Sequence, residues 1–149
     1  MPETPEKPSE ERPLVGRHPK AVAILICDQI ITDATTGKIS LIGIFENIAG
    51  GTLPVGPVNL CVYAKMTEIQ GDYIFKLEIV RRDDLQLIAE TALPQIHWDD
   101  PMAHADLVMQ LAGLMFERAG YYDFQIRANN HFVESKSVQV HLSQGGDSS

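Results

Sequence analysis

The side chains best suited to chemistry crowd into one stretch, Pro94 to Ala105, which reads PQIHWDDPMAHA. It holds the sole tryptophan, Trp98, two of the five histidines, His97 and His104, and the adjacent carboxylates Asp99 and Asp100. Imidazoles and carboxylates ligate divalent metals and act as general acids and bases. Their offsets match no zinc motif, and no periodicity fixes the directions in which they point, so no metal is assigned. The expectation is a surface loop with Trp98 packed onto a sheet edge. His97, Trp98, Asp99, Asp100 and His104 are the candidate contacts for a ligand or partner, because loops on a rigid scaffold carry binding residues.

Elsewhere the chemistry thins out. Asp28, directly after Cys27, is the best single polar candidate, although its neighbours Gln29, Thr32 and Asp33 read more simply as the polar end of a strand. Cys27 and Cys61 lie in apolar runs at a spacing that fits no metal motif. No basic residue stands beside either to lower its pKa, so both read as buried free thiols, with a disulfide between them as the alternative if their strands are neighbours. His18 falls in the N-terminal arm, and His131 and His141 fall on the solvent side of the last hairpin. Nothing assembles a nucleophile, a base and an orienting group. No catalytic residue and no cofactor is therefore assigned, and the expectation is a protein that is not an enzyme.

Charge narrows the partners. Twenty acidic residues against twelve basic give −8, and residues 1–20 contribute four of each, so the imbalance belongs to the folded part. A negative surface disfavours nucleic acid and anionic membranes, both of which select basic ones. The one adjacent basic pair, Arg81-Arg82, is followed by Asp83-Asp84 and reads as a solvated turn. Residues 1–19 carry five prolines among charges and read as a disordered arm. The apolar run after Arg17 is interrupted by Asp28-Gln29 and is too short to span a bilayer; with no cleavage site in view, a cytoplasmic setting is expected.

The elements that must position these side chains read as strands. Ala21–Ile48 is two apolar, β-branched runs around the polar block 33–38, a hairpin whose turn can use Gly37; Gly43 marks a bulge or a close backbone approach. Ala49–Pro57, AGGTLPVGP, forms no regular element and is expected to cross between sheets. Alternation then runs through Val58–Met66, Tyr73–Ile79 and Leu85–Leu93, a three-strand meander. Residues 106–119 fit a helix opened by Asp100-Pro101 or a strand reset by a bulge at Ala112-Gly113; the strand is preferred. Gly120–Asn130 is a strand bearing Tyr121 and Tyr122 on opposite faces, its Asn129-Asn130 turn leads into the last strand, and a tyrosine near the start of such a strand often ties a corner of a β-sandwich. The expected fold is all-β: an antiparallel β-sandwich of seven to eight strands over residues 20–143, at most one short helix around 100–118, and a disordered tail at 144–149.

The run AILICDQIITDATTGKISLIGIFENI, a Pro/Gly loop, a meander and the closing AGYYDFQIRANN resemble a family of small bacterial proteins known only as a domain of unknown function. The resemblance covers about residues 20–142 and is most specific over Lys38–Ile48. It implies a cytoplasmic β-sandwich with no assigned activity. The reading of the residues favours an interaction or scaffold module that works through a sheet face or edge, with an unidentified protein or a second copy as partner. The alternative is a small-ligand domain with its site in the loops 49–57 and 95–105. The first hairpin is the reason for the preference: apolar residues on both of its faces require either two-sided burial or a partner.

Overall fold

Alternation is strictest in Phe75–Arg81, where every second residue is buried, and this periodicity of two sets the architecture of the chain. A computed structural model describes residues 18–143; the expected N-terminal arm, apart from its last two residues, and the tail lie outside that range. Within it the chain is all strand: β1 (Lys20–Thr32), β2 (Ile39–Ile44), β3 (Asn47–Gly50), β4 (Val55–Thr67), β5 (Gly71–Tyr73), β6 (Phe75–Arg81), β7 (Gln86–Ala92), β8 (Ile96–Trp98), β9 (Ala105–Phe116), β10 (Gly120–Ala128) and β11 (His131–Leu142).

The strands form a sandwich-like arrangement of a four-stranded sheet, β2-β1-β4-β9, and a five-stranded sheet, β3-β11-β10-β6-β7, with a two-stranded sheet β5-β8 beside them. All neighbours pair antiparallel except β3 and β11, which are parallel. One core joins the two large sheets. Ile26, Leu60, Val62 and Met66 enter it from one side, and Phe75, Leu77, Tyr122 and Phe124 from the other. Deleting any one of these aromatic rings would cost about 3–5 kcal/mol.

Eleven strands replace the seven or eight expected. The surplus is three pieces of three or four residues, β3, β5 and β8, too short to show a period: β8 falls in a stretch that read as loop, β5 straddles a turn and the strand after it, and β3 begins in what read as the end of the second strand. The expected meander is also corrected: β4 belongs to the four-stranded sheet whereas β6 and β7 belong to the five-stranded one. The chain switches sheets through Glu68, which has φ 57°. β3 and the segment after it do carry the chain between sheets, since β2 and β4 share one sheet and β3 joins the other.

The helix considered around residues 100–118 does not form. Leu107, Met109 and Leu111 are buried at alternate positions of β9. Gly113, at φ 71°, then supplies the left-handed backbone that resets the phase, so that Leu114 and Phe116 are buried too. Asn129 and Asn130 turn the last hairpin at φ 51° and 70°. Of the two tyrosines at the start of β10, Tyr122 is the one that ties the corner: its buried hydroxyl donates to the carbonyl oxygen of Arg118 at 2.7 Å.

Candidate functional site

The loop that carried the chemistry is partly ordered by strand pairing. β8 pairs with β5 in the register Gly71↔Trp98, Asp72↔His97 and Tyr73↔Ile96, which sets His97 directly opposite Asp72. Its Nδ1 lies 2.6 Å from Asp72 Oδ1, and its Nε2 lies 2.6 Å from Asp99 Oδ1. A neutral imidazole has one N–H, so only the imidazolium donates to both carboxylates. The Asp72 bond first, and the Asp99 bond second, raise the His97 pKa above its ordinary value. Gln70 braces the clasp from behind: its backbone N–H donates to Tyr73 Oη at 2.9 Å, and its Nε2 reaches the Asp99 carbonyl at 3.4 Å.

The other residues singled out in this loop do not converge on His97. Asp100 Oδ1 accepts from the Met102 backbone N–H at 2.9 Å and caps a turn. Trp98 packs against the core as expected of a ring laid on a sheet edge, and its buried Nε1 has no hydrogen-bond partner. His104 is exposed beside the start of β9 and acts on Asp106 only as a nearby charge. Both nitrogens of His97 are occupied by carboxylates, and among the described residues no group of three or more His, Cys, Asp or Glu is placed to hold a metal ion. The arrangement is a proton-dependent clasp, with no nucleophile beside it.

The register rules out the ligand site imagined between the loops 49–57 and 95–105. β4 and β9 pair from Val55↔Phe116 at one end to Met66↔Ala105 at the other. The first loop sits at the Val55 end and the second at the Ala105 end. Eleven residues of strand, roughly 36 Å, separate them. A hollow of about 210 Å3 does exist elsewhere, lined by Arg81, Gln86, Leu87, Ile88, Met115 and Glu117. Two of its polar side chains, Arg81 and Gln86, bond each other. Arg81, which read as part of a solvated turn, is buried and bonds Asp84 through Nε at 3.0 Å and Nη2 at 2.9 Å, and Gln86 at 2.9 Å. The pair raises the Arg81 pKa and depresses that of Asp84.

Asp28 stays at the exposed end of β1, its carboxylate against Gly43, where a Cβ would meet Asp28 Cγ at 2.9 Å. Gly43 has φ 73°, so the close approach and the backbone both require glycine. Cys27 and Cys61 are buried free thiols that face each other in the β1–β4 register. Burial, the other thiol and Asp28 push the Cys27 thiol up, away from reactivity.

The first hairpin, whose two apolar faces called for burial on both sides or a partner, leaves one of them bare. On the outer side of the four-stranded sheet, Cys27 pairs with Ile44 and Gln29 with Ile42, while Ile31 is diagonal to Ile42. Ile31, Ile42 and Ile44 are 49%, 45% and 54% exposed. Leu25 and Val108 extend the patch across β1 and β9. Charges gather at one end of this face: Tyr63 Oη donates to Asp106 at 2.5 Å, and Lys65 Nζ donates to it at 2.8 Å. Burial would raise the Asp106 pKa, but those two bonds outweigh it and lower the value. The outer face of the five-stranded sheet mixes exposed rings, Tyr121 and Phe132, with paired charges. There Arg82 holds Asp123 at 2.7 Å and lies over the Tyr121 ring, and Arg127 holds Glu78 at 2.9 Å. The signal was present in the sequence as the two-sided apolar character of the first hairpin.

Fold and surface together define a small all-β module, two large sheets around one core, with a proton-dependent clasp and one apolar outer face. The chain belongs to the family of unknown function DUF6941, whose profile matches residues 22–141. No curated protein matches it. Among solved structures, a β-glucosidase from Listeria innocua in complex with glucose is similar over 86% of this chain and 16% of that one, at TM-score 0.46 and 9% identity. The same enzyme in complex with gluconolactone gives TM-score 0.44 and 8% identity, with the same coverage. This chain thus spans about a sixth of those proteins, and at such scores the likeness bears on neither fold nor chemistry. No helix of the described residues is long and apolar enough to cross a membrane.

Proposed function

We infer that this protein is a non-catalytic interaction module that engages a protein partner through the outer face of β2, β1, β4 and β9. One observation carries the reading: Ile31, Ile42 and Ile44 stand exposed on adjoining strands with no charge among them, whereas the exposed Tyr121 and Phe132 on the outer face of the other sheet lie among paired charges. Exposed apolar side chains gathered on adjoining strands are an unfavourable surface unless something covers them. His97 and Arg81, the two side chains with the densest bonding, are both held by carboxylates of the chain itself. A cytoplasmic, bacterial setting accompanies this reading, as the resemblance implies, and neither nucleic acid nor a membrane is the partner for a chain of net charge −8.

Affinity capture tests it. The wild type and an Ile42→Lys/Ile44→Lys double variant are immobilised at equal density, and the proteins retained from native extract are compared quantitatively. The exposed positions let the variant keep its fold, which circular dichroism checks. A specific partner retained by the wild type and lost by the variant is expected; identical retention profiles would refute the role of this face.

A further inference from the structure

We propose that the occupant of the outer face of the four-stranded sheet is a second copy of this chain, packed sheet on sheet about a twofold axis; this rests on the interaction reading above.

The argument starts from charge. The whole chain carries −8, but the middle of this face carries none. Its charged side chains lie at the end where β1 begins, and they are already paired, Lys65 with Asp106 and Lys20 with Glu68. A partner recognised by charge would find nothing here to match, and its own charges would be stripped of water without compensation. A surface that is itself uncharged, isoleucines beside the exposed amides of Gln29 and Gln110, is the complement, and this chain presents one. An isologous contact places Ile42 and Ile44 of one copy over β1 and β2 of the other, in the way two sheets pack within a sandwich.

Size sets the strength. Four strands about 4.8 Å apart, each contributing about seven residues at 3.3 Å, give a footprint of roughly 19 by 23 Å, on the order of 440 Å2 per copy. Stable interfaces of ordinary size need about 800 Å2 per partner, so this dimer is reversible and depends on concentration. Electrostatics then gives it a signature. Two copies with the same strong negative charge repel, and salt screens that repulsion while leaving the apolar contact intact. Association therefore strengthens as salt rises, the reverse of a contact held by opposite charges.

Sedimentation velocity over a concentration series, at about 0.05 M and about 0.5 M salt, decides the matter. The wild type is expected to shift from monomer toward dimer with concentration, and further at the higher salt. Ile44→Lys separates the causes, because it moves the net charge toward zero and inserts a charge into the face. An account based on overall repulsion requires this variant to associate more; the apolar face requires it to associate about tenfold less. Glu90→Gln, on the other sheet, makes the same change in charge and should associate at least as well as the wild type. A wild type that stays monomeric throughout, or an Ile44→Lys variant that associates as the wild type does, overturns the proposal. If the wild type is monomeric yet still retains a partner that the Ile42→Lys/Ile44→Lys variant loses, the second copy is refuted while the interaction reading stands.

Discussion

Replacing Tyr122 by phenylalanine removes one oxygen atom and tests whether the corner is held by a bond or by packing. The ring is fully buried and meets Phe116 edge-on, with centroids 4.9 Å apart and planes at 77°. Phenylalanine preserves that contact, so the change removes only what the hydroxyl does, which is the 2.7 Å bond to the Arg118 carbonyl and a weaker interaction with Arg81. A neutral hydrogen bond of this kind contributes about 1 kcal/mol net. Arg118 lies on an exposed bend, where water can reach the orphaned carbonyl, so no further penalty for a buried, unpaired acceptor is added. The expected loss is about 1 kcal/mol, which for a domain of this size lowers Tm by about 3–5 °C. Tyr122→Ala, which also empties the ring's place in the core, should cost about 3–5 kcal/mol. Urea unfolding followed by circular dichroism measures both, and an unchanged slope confirms that stability alone has moved. A Tyr122→Phe midpoint equal to that of the wild type, beside a strongly destabilised Tyr122→Ala, would refute the tie and leave packing as the whole cause of the corner.

The His97 clasp makes stability depend on pH. Its folded pKa is raised, so its contribution is complete below the unfolded histidine value of about 6.5 and is lost as pH rises through the folded value. An NMR titration of His97 should give a midpoint above the ordinary value, lowered by Asp72→Asn and less strongly by Asp99→Asn; a midpoint at or below that value in the wild type contradicts the clasp. At Gly43, alanine meets both a left-handed backbone and the Asp28 carboxylate, and a loss of about 1–3 kcal/mol is expected. Combining it with Asp28→Gly relieves the contact but not the backbone strain, so a double-mutant cycle should show partial recovery, and strict additivity would show that the two residues do not meet.

What the sequence made legible was whatever repeats with period two. The buried positions of β6 and β10, the Gly113 bulge, the Asn129-Asn130 turn and the Tyr122 corner follow from alternation and turn chemistry within a dozen residues. Strands of three residues carry no period, so β5 and β8 were invisible, and with them the partner of His97: Asp72 read as turn decoration because only its pairing across 25 residues of chain brings it to the imidazole. Sheet membership escaped for the same reason. Alternation says that β4 and β6 are strands but not that they lie in different sheets. The Arg81-Arg82 pair misled because its sequence context describes the exposed Arg82 well and the buried Arg81 badly. The hairpin at the start did announce its unusual surface, because two apolar faces on one pair of strands exceed what a single core can cover.

The parallel pairing of β3 with β11 has a consequence for the order in which the chain is made. Asn47 lies beside Gln139 and Ile48 beside Val140, so this edge of the five-stranded sheet joins segments about 90 residues apart. During synthesis from the N-terminus, β1 and β2 emerge first and can close on each other at once, their apolar outer face already bare. β3 follows immediately but has nothing to pair with until almost the last strand has left the ribosome. The nascent protein thus carries its stickiest hairpin and an unpaired strand side by side for most of its elongation, the state in which partly folded β-chains associate wrongly. The surface assigned to partner binding in the finished molecule is therefore also the one most in need of shielding while the molecule is being built.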